Sequence, residues 1–230
     1  MPRRTDTHPD LRHPDVAAPF FSVWRLGTPE RQRQAVDAFA AAWERRPWPA
    51  RELISHHVYV GQDGSTLMHH AQWATEVGYE GFFKTRRQET VDEIDTAVSG
   101  IERLTLDRYH RPHSHERAVG DTRVPGLIVT VRIDFEPGAA ARRPGWADTV
   151  RKALADDPEG HRGLISAHFH LSHDGTHVLN YAEWESDAAY DAVLAGTAEP
   201  TESWRRVRTY PGVRGFTSAR YRHALGLAPD

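Results

Sequence analysis

Residues 53–82, LISHHVYVGQDGSTLMHHAQWATEVGYEGF, align without a gap to residues 164–193, LISAHFHLSHDGTHVLNYAEWESDAAYDAV, with nine of 30 positions identical. About two identities are expected for unrelated segments of average composition. The matches include Ser55 with Ser166, His57 with His168, Asp63-Gly64 with Asp174-Gly175, Trp73 with Trp184 and Tyr79 with Tyr190. Upstream the same offset of 111 pairs Pro47 with Pro158, and downstream an offset of 112 pairs Gly100 with Gly212 and Tyr109 with Tyr221. One unit of about 110 residues is therefore used twice, far longer than the ~20–50 residues of a solenoid repeat.

Each copy reads the same way. A first strand is predicted at 20–25 and again at 127–135. A helix follows at 29–43, with Thr28 as N-cap and Pro29 in the first turn, and at 144–155. Then comes a hairpin, 53–60 with 66–73 and 164–171 with 177–184. Its turn carries Asp-Gly, where glycine tolerates the positive φ such turns require. Thr75 and Ser186 cap a second helix, and a last strand at 103–110 or 215–222 closes the unit.

The order β-α-β-β-α-β is the ferredoxin-like motif. The fold class is α+β: two tandem ferredoxin-like repeats, whose bare sheet faces are expected to cover each other in an intramolecular α+β barrel. The expected boundaries are a disordered tail at 1–18, a first repeat at 19–111, a linker at 112–124, a second repeat at 125–224 and a C-terminal tail at 225–230.

Composition narrows the function. The chain has 230 residues and is 39% hydrophobic and 27% charged, with a net charge of −3, which offers no basic field for a nucleic acid. No apolar run approaches the ~20 residues of a membrane span, and the first residues lack a signal-peptide core. A soluble, cytoplasmic protein is expected. Zero cysteines exclude disulfides, thiolate nucleophiles and iron–sulfur ligands. No P-loop, strand-borne GxGxxG or GxSxG occurs.

The clearest chemical constellation follows each hairpin. On a strand Asn180, Ala182 and Trp184 share a face, and Tyr190 comes six residues after Trp184. The first copy has His69, Trp73 and Tyr79. An amide, an indole N–H and a phenol beside flat aromatic walls suit a planar, oxygenated aromatic ligand. Plain core packing of Trp and Tyr under the helix fits the same spacing. Histidines cluster at 56, 57, 69 and 70 and at 168, 170, 173 and 177. No carboxylate occupies a clear third-ligand position on that strand face, so no metal is expected.

The tandem repeat, the hairpins LISHHVYVGQDGSTLMHHAQW and LISAHFHLSHDGTHVLNYAEW, and the capped helix after Trp together resemble the antibiotic biosynthesis monooxygenase family, over roughly residues 20–223. That resemblance implies a cofactor-independent oxygenase that oxidises an aromatic polyketide of anthrone, phenol or hydroquinone type with O2. It implies no metal, flavin or haem. The family motif Asn-x-x-x-Trp, Tyr six residues on and a later Arg maps onto Asn180, Trp184, Tyr190 and Arg205 as catalytic groups, with His168 as general base. Trp73, His69, Tyr79 and His57 are their first-repeat counterparts, expected to bind substrate, with His69 standing where the family has Asn. A homodimer is compatible with the unpaired edge strands. The same scaffold also serves polyketide cyclases, and a non-catalytic ligand-binding protein is the third reading.

Overall fold

The computed structural model describes residues 2–110, 113–196 and 199–230. Two compact units divide the chain: residues 1–111 together with 221–230, and residues 112–220. The first contains β1 (Pro2–Thr5), β2 (Ala18–Arg25), α1 (Pro29–Glu44), β3 (Leu53–Gly61), β4 (Thr66–Trp73), α2 (Glu76–Thr85), α3 (Arg87–Ala97) and β5 (Glu102–Arg108). The second contains β6 (His113–His115), β7 (Leu127–Phe135), α4 (Arg143–Asp156), β8 (Leu164–Leu171), β9 (His177–Trp184), α5 (Asp187–Ala195) and α6 (Glu202–Arg208). A long last strand, β10 (Val213–Pro229), gives its first half to the second unit and its second half to the first.

Strand order is β5-β2-β4-β3 in the first unit and β10-β7-β9-β8 in the second, so each is a ferredoxin-like βαββαβ repeat. Local chemistry matches in the two copies. Asp63 Oδ1 accepts from the backbone N–H of Ser65 (2.8 Å) and of Thr66 (2.9 Å). Asp174 does the same for Thr176 at 3.0 Å. Gly64 and Gly175 occupy φ values of +69° and +79°, open to glycine at little cost. Thr75 and Ser186 cap α2 and α5 through the N–H groups of Gly78 and Ala189.

Three expectations are corrected. Residues 1–18 are not wholly a tail. β1 pairs antiparallel with β10, Pro2 facing Pro229 and Thr5 facing Gly226, and the Asp10 carbonyl accepts from Gln72 Nε2 at 2.8 Å. Residues 225–230 are not a tail either, because Leu225 and Leu227 are buried in the core of the first unit. The 112–124 stretch holds β6, paired with β8. Backbone pairing supplies these contacts, and Pro-, His- and charge-rich composition gives no hint of it. The second helix of each repeat is also two helices. In the first unit α2 directs Tyr79 and Phe82 to the core, while α3 buries Thr90 and Ile94.

Buried histidines make the fold pH-sensitive. Burial pushes His170 and His177 down to about 4, with the charge of Arg132 adding to the effect at His177. Both are therefore neutral in the fold and titrate near 6.5 when unfolded. Their contribution is complete above pH 6.5 and is lost as pH falls towards 4, on the order of 2 kcal/mol per histidine at pH 5. Urea midpoints measured from pH 7 to 4.5 are expected to fall steadily through this window. A flat profile contradicts the assignment.

Candidate active site

Register decides which side chains meet. In the first unit Ser22 on β2 and Val58 on β3 both stand opposite His69 on β4, and His56 stands opposite Ala71. Paired residues share a sheet face, so Ser22, His56, His69 and Trp73 all point towards the helices. There they line a cavity of about 100 Å³ that also touches Phe20, Trp24, Phe39, Trp43, Tyr79, Arg87 and Arg103.

Its walls are aromatic and its polar groups few. His69 packs on Trp24 with ring centroids 4.0 Å apart and on Phe39 at 5.0 Å. His56 lies 4.8 Å from Phe39 and 5.2 Å from Trp43. Tyr79 stacks on Phe20 at 3.9 Å and meets Trp73 edge-on at 5.7 Å. The two imidazoles are linked, His56 Nε2 to His69 Nδ1, at 3.3 Å. Burial, reinforced by the charge of Arg103, pushes His69 down to about 3. Burial likewise holds His56 well below its ordinary value. Both rings are therefore neutral around pH 7.

Three buried donors or acceptors in this wall have no partner: His69 Nε2, Arg103 Nε and Trp43 Nε1. Arg103 is otherwise fully engaged. Its two terminal nitrogens donate to Asp95 at 2.7 and 3.1 Å, and its guanidinium lies 4.9 Å over the Trp24 ring. An unsatisfied buried polar group costs about 1–3 kcal/mol. All three belong to residues that line this one aromatic cavity.

The second unit places the expected catalytic residues differently. Asn180, Ala182 and Trp184 do share the helix face, and Tyr190 meets Trp184 at 5.1 Å. Asn180 Oδ1 and Trp184 Nε1 are buried without partners. Around them, however, the ionisable groups of the first unit are replaced. Val131 stands opposite Asn180 where Ser22 stands opposite His69, and Ala167 stands opposite Ala182 where His56 stands opposite Ala71. Leu127, Val129 and Ile133 fill this core.

His168 is not with the cluster. It stands opposite Tyr181, while Phe169 stands opposite Asn180, so alternation sends its ring to the other sheet face. There it bonds Ser114 Oγ (2.8 Å) and Ser166 Oγ (3.0 Å), in a chain that continues through Glu183 to Arg117. His57 is likewise on the far face, opposite His70, with its Nδ1 3.1 Å from His223 Nε2. Arg205 is exposed, tied to Glu202 (3.0 Å) and to the Pro200 carbonyl (3.1 Å) on its own short helix. A different arginine, Arg220, lies 4.7 Å over the Tyr190 ring.

Sequence reasoning missed His56, Ser22, Trp24, Arg87 and Arg103 in the first unit. The pairing that places His56 on the face of His69 was readable from the hairpin register, whereas Ser22 lies on β2, outside the hairpin. Arg103 was not readable in this way, because β5 reaches the cavity from a distant part of the chain. Among the described residues no group of three His, Asp or Glu side chains converges as a metal site.

No family model matches the chain. One curated relative, the tetracenomycin-F1 monooxygenase of Streptomyces glaucescens, is 54% identical over 33 residues, 14% of this chain and 30% of that protein. The match thus spans under a third of the relative's length. Among solved structures, an anthrone oxidase-like protein superposes with a TM-score of 0.68 at 17% identity, covering 93% of each chain. A proposed monooxygenase from Lactobacillus acidophilus NCFM gives a TM-score of 0.56 at 9% identity over 90% of this chain and 95% of that one. A chlorite dismutase variant from Candidatus Nitrospira defluvii gives 0.56 at 9% identity, covering 90% and 91%. The chain shares the fold of these three proteins and resembles the antibiotic biosynthesis monooxygenases.

Giving the cavity of the first unit the residues of the second tests where ligand sits. The Ser22→Val, His56→Ala double variant is expected to weaken binding of 2-naphthol more than tenfold by calorimetry. Unchanged affinity in a folded variant places the ligand elsewhere.

Proposed function

We propose that the first unit is an oxygenase that oxidises an electron-rich aromatic polyketide, of anthrone, phenol or hydroquinone type, with O2 and no cofactor. The observation that carries this reading is the pair of unpartnered polar atoms, His69 Nε2 and Arg103 Nε, in the wall of an aromatic cavity. The likeness to a tetracenomycin-F1 monooxygenase and the shared fold with an anthrone oxidase-like protein support it.

Ground-state O2 reacts slowly with closed-shell molecules because the pairing of spins forbids it. An enolate or phenolate avoids the difficulty by passing one electron to O2, after which the radical pair joins as a peroxide at carbon. For an anthrone-type CH2 group, loss of the remaining C–H proton with cleavage of the O–O bond leaves a ketone and releases water. One O2 is consumed, the carbon is oxidised, and each proton is accounted for.

The cavity favours each stage of this sequence. His69 is neutral, so its Nε2 takes the substrate proton, and the 3.3 Å contact with His56 gives that proton a route onward. The imidazolium is disfavoured in the empty cavity by burial and by Arg103. The substrate anion formed beside it supplies the missing counter-charge, so proton transfer and anion stabilisation are coupled. Arg103, with Arg87 also in the wall, holds the negative oxygen. Trp24, Trp73 and Phe20 clamp the ring plane and keep bulk water from the peroxide.

Oxygen uptake with anthrone as probe tests this. His69→Ala is expected to lower kcat by about 10²-fold, the scale of a lost general base. Asn180→Ala in the second unit is expected to change it less than threefold. Product formation at full rate under argon contradicts the oxygenase reading and indicates a cyclase. The reverse ranking of the two variants moves the site to the second unit.

A further inference from the structure

Beside the aromatic cavity lies a second hollow, of about 230 Å³, lined by Trp43, Arg46, Pro47, Pro49, Phe82 and Arg86, with Glu89 and Thr90 on its α3 side. Trp43, Phe82 and Thr90 belong to both walls. The two spaces are therefore neighbours, meeting at these three side chains. We infer that the second hollow is a distal subsite, and that the substrate is an extended molecule whose far end carries an acidic group. The inference rests on the proposed oxygenase reading of the inner cavity and adds the shape and charge of its substrate.

Three observations support it. Trp43 Nε1 is buried and has no hydrogen-bond partner, an unusual state for an indole N–H in a wall shared by two hollows. Arg86 sits at the break between α2 and α3, and its guanidinium donates to the Pro49 carbonyl at 3.2 Å. Among the described residues it has no carboxylate partner. Arg46, by contrast, pairs with Glu93 at 2.6 Å, a carboxylate it shares with Arg45, so Arg86 is the cation of this lining with no carboxylate beside it.

The apolar part of the lining, Pro47, Pro49 and Phe82, accepts a flat hydrocarbon edge. A ligand with its reactive ring against His69 and its far ring past Trp43 delivers a carboxylate to Arg86, with the indole N–H available to an oxygen on the way. A short phenol fills the inner cavity alone. The chain therefore discriminates by length and terminal charge, at residues that never touch the reacting carbon.

Binding under argon separates this inference from the oxygenase chemistry. The probes are anthracene-2-carboxylate, which is long and acidic, and 2-naphthol, which is short and neutral. Wild-type protein is expected to bind the carboxylate at least tenfold more tightly. Arg86→Gln is expected to weaken the carboxylate about fivefold and leave 2-naphthol unchanged. Glu89→Trp, on an exposed helix position facing the hollow, is expected to weaken the carboxylate tenfold with the same neutrality towards 2-naphthol. His69→Ala weakens both probes. If Arg86→Gln and Glu89→Trp leave both affinities unaltered while His69→Ala does not, the distal subsite is overturned and the inner cavity stands. If His69→Ala leaves both unaltered, or wild type binds neither probe, the inner-cavity reading falls and the subsite with it.

Discussion

A pair of neutral imidazoles held between indole and phenyl rings, with no counter-ion of their own, is the constraint around which this chain is organised. Burial keeps His56 and His69 uncharged, and Arg103 makes protonation of His69 still harder. That arrangement is destabilising if it does nothing, since each polar atom left without a partner costs roughly as much as a hydrogen bond contributes. It becomes an advantage when an anion enters. The cavity then gains a hydrogen-bond partner for His69 and for Arg103 at once, and the environment that disfavoured charge now favours an ion pair.

Duplication explains how such a site is tolerated. Two units with the same hairpins, caps and turns share the same backbone, yet their helix-facing positions have diverged. The second unit replaces Ser22, Trp24 and His56 with Val131, Ile133 and Ala167, which are ordinary core residues. The first unit keeps Ser22 and His56 at these positions, and both line the cavity described above. The second keeps Asn180 and Trp184, whose Oδ1 and Nε1 are buried without partners.

Much of this was legible in the sequence. Asp-Gly turns, the Thr75 and Ser186 caps and the period-two strands placed both hairpins to within a residue, because these features are local. Trp73, Tyr79 and His69 could be grouped for the same reason, lying on one strand and the helix after it. The sequence pattern puts the catalytic weight on the second copy, whereas the proposed reading puts it on the first. Asn180-x-x-x-Trp184 matched a family pattern, whereas the deciding difference lies in what stands opposite each residue across the sheet. His57 and His168 were assigned to the site although strand pairing sends them to the other face. Arg103 and the strand formed by residues 2–5 depend on contacts between distant segments, which no local pattern announces.

Where an aromatic ligand rests decides between the two copies. A crystal structure of the chain with anthraquinone, the product expected from anthrone, addresses this directly. The ring system is predicted between Trp24 and Trp73 in the first unit, with a carbonyl oxygen within about 3 Å of His69 Nε2, at ordinary hydrogen-bond distance. Density for the ligand beside Asn180 and Trp184, with the cavity around His69 closed, contradicts it.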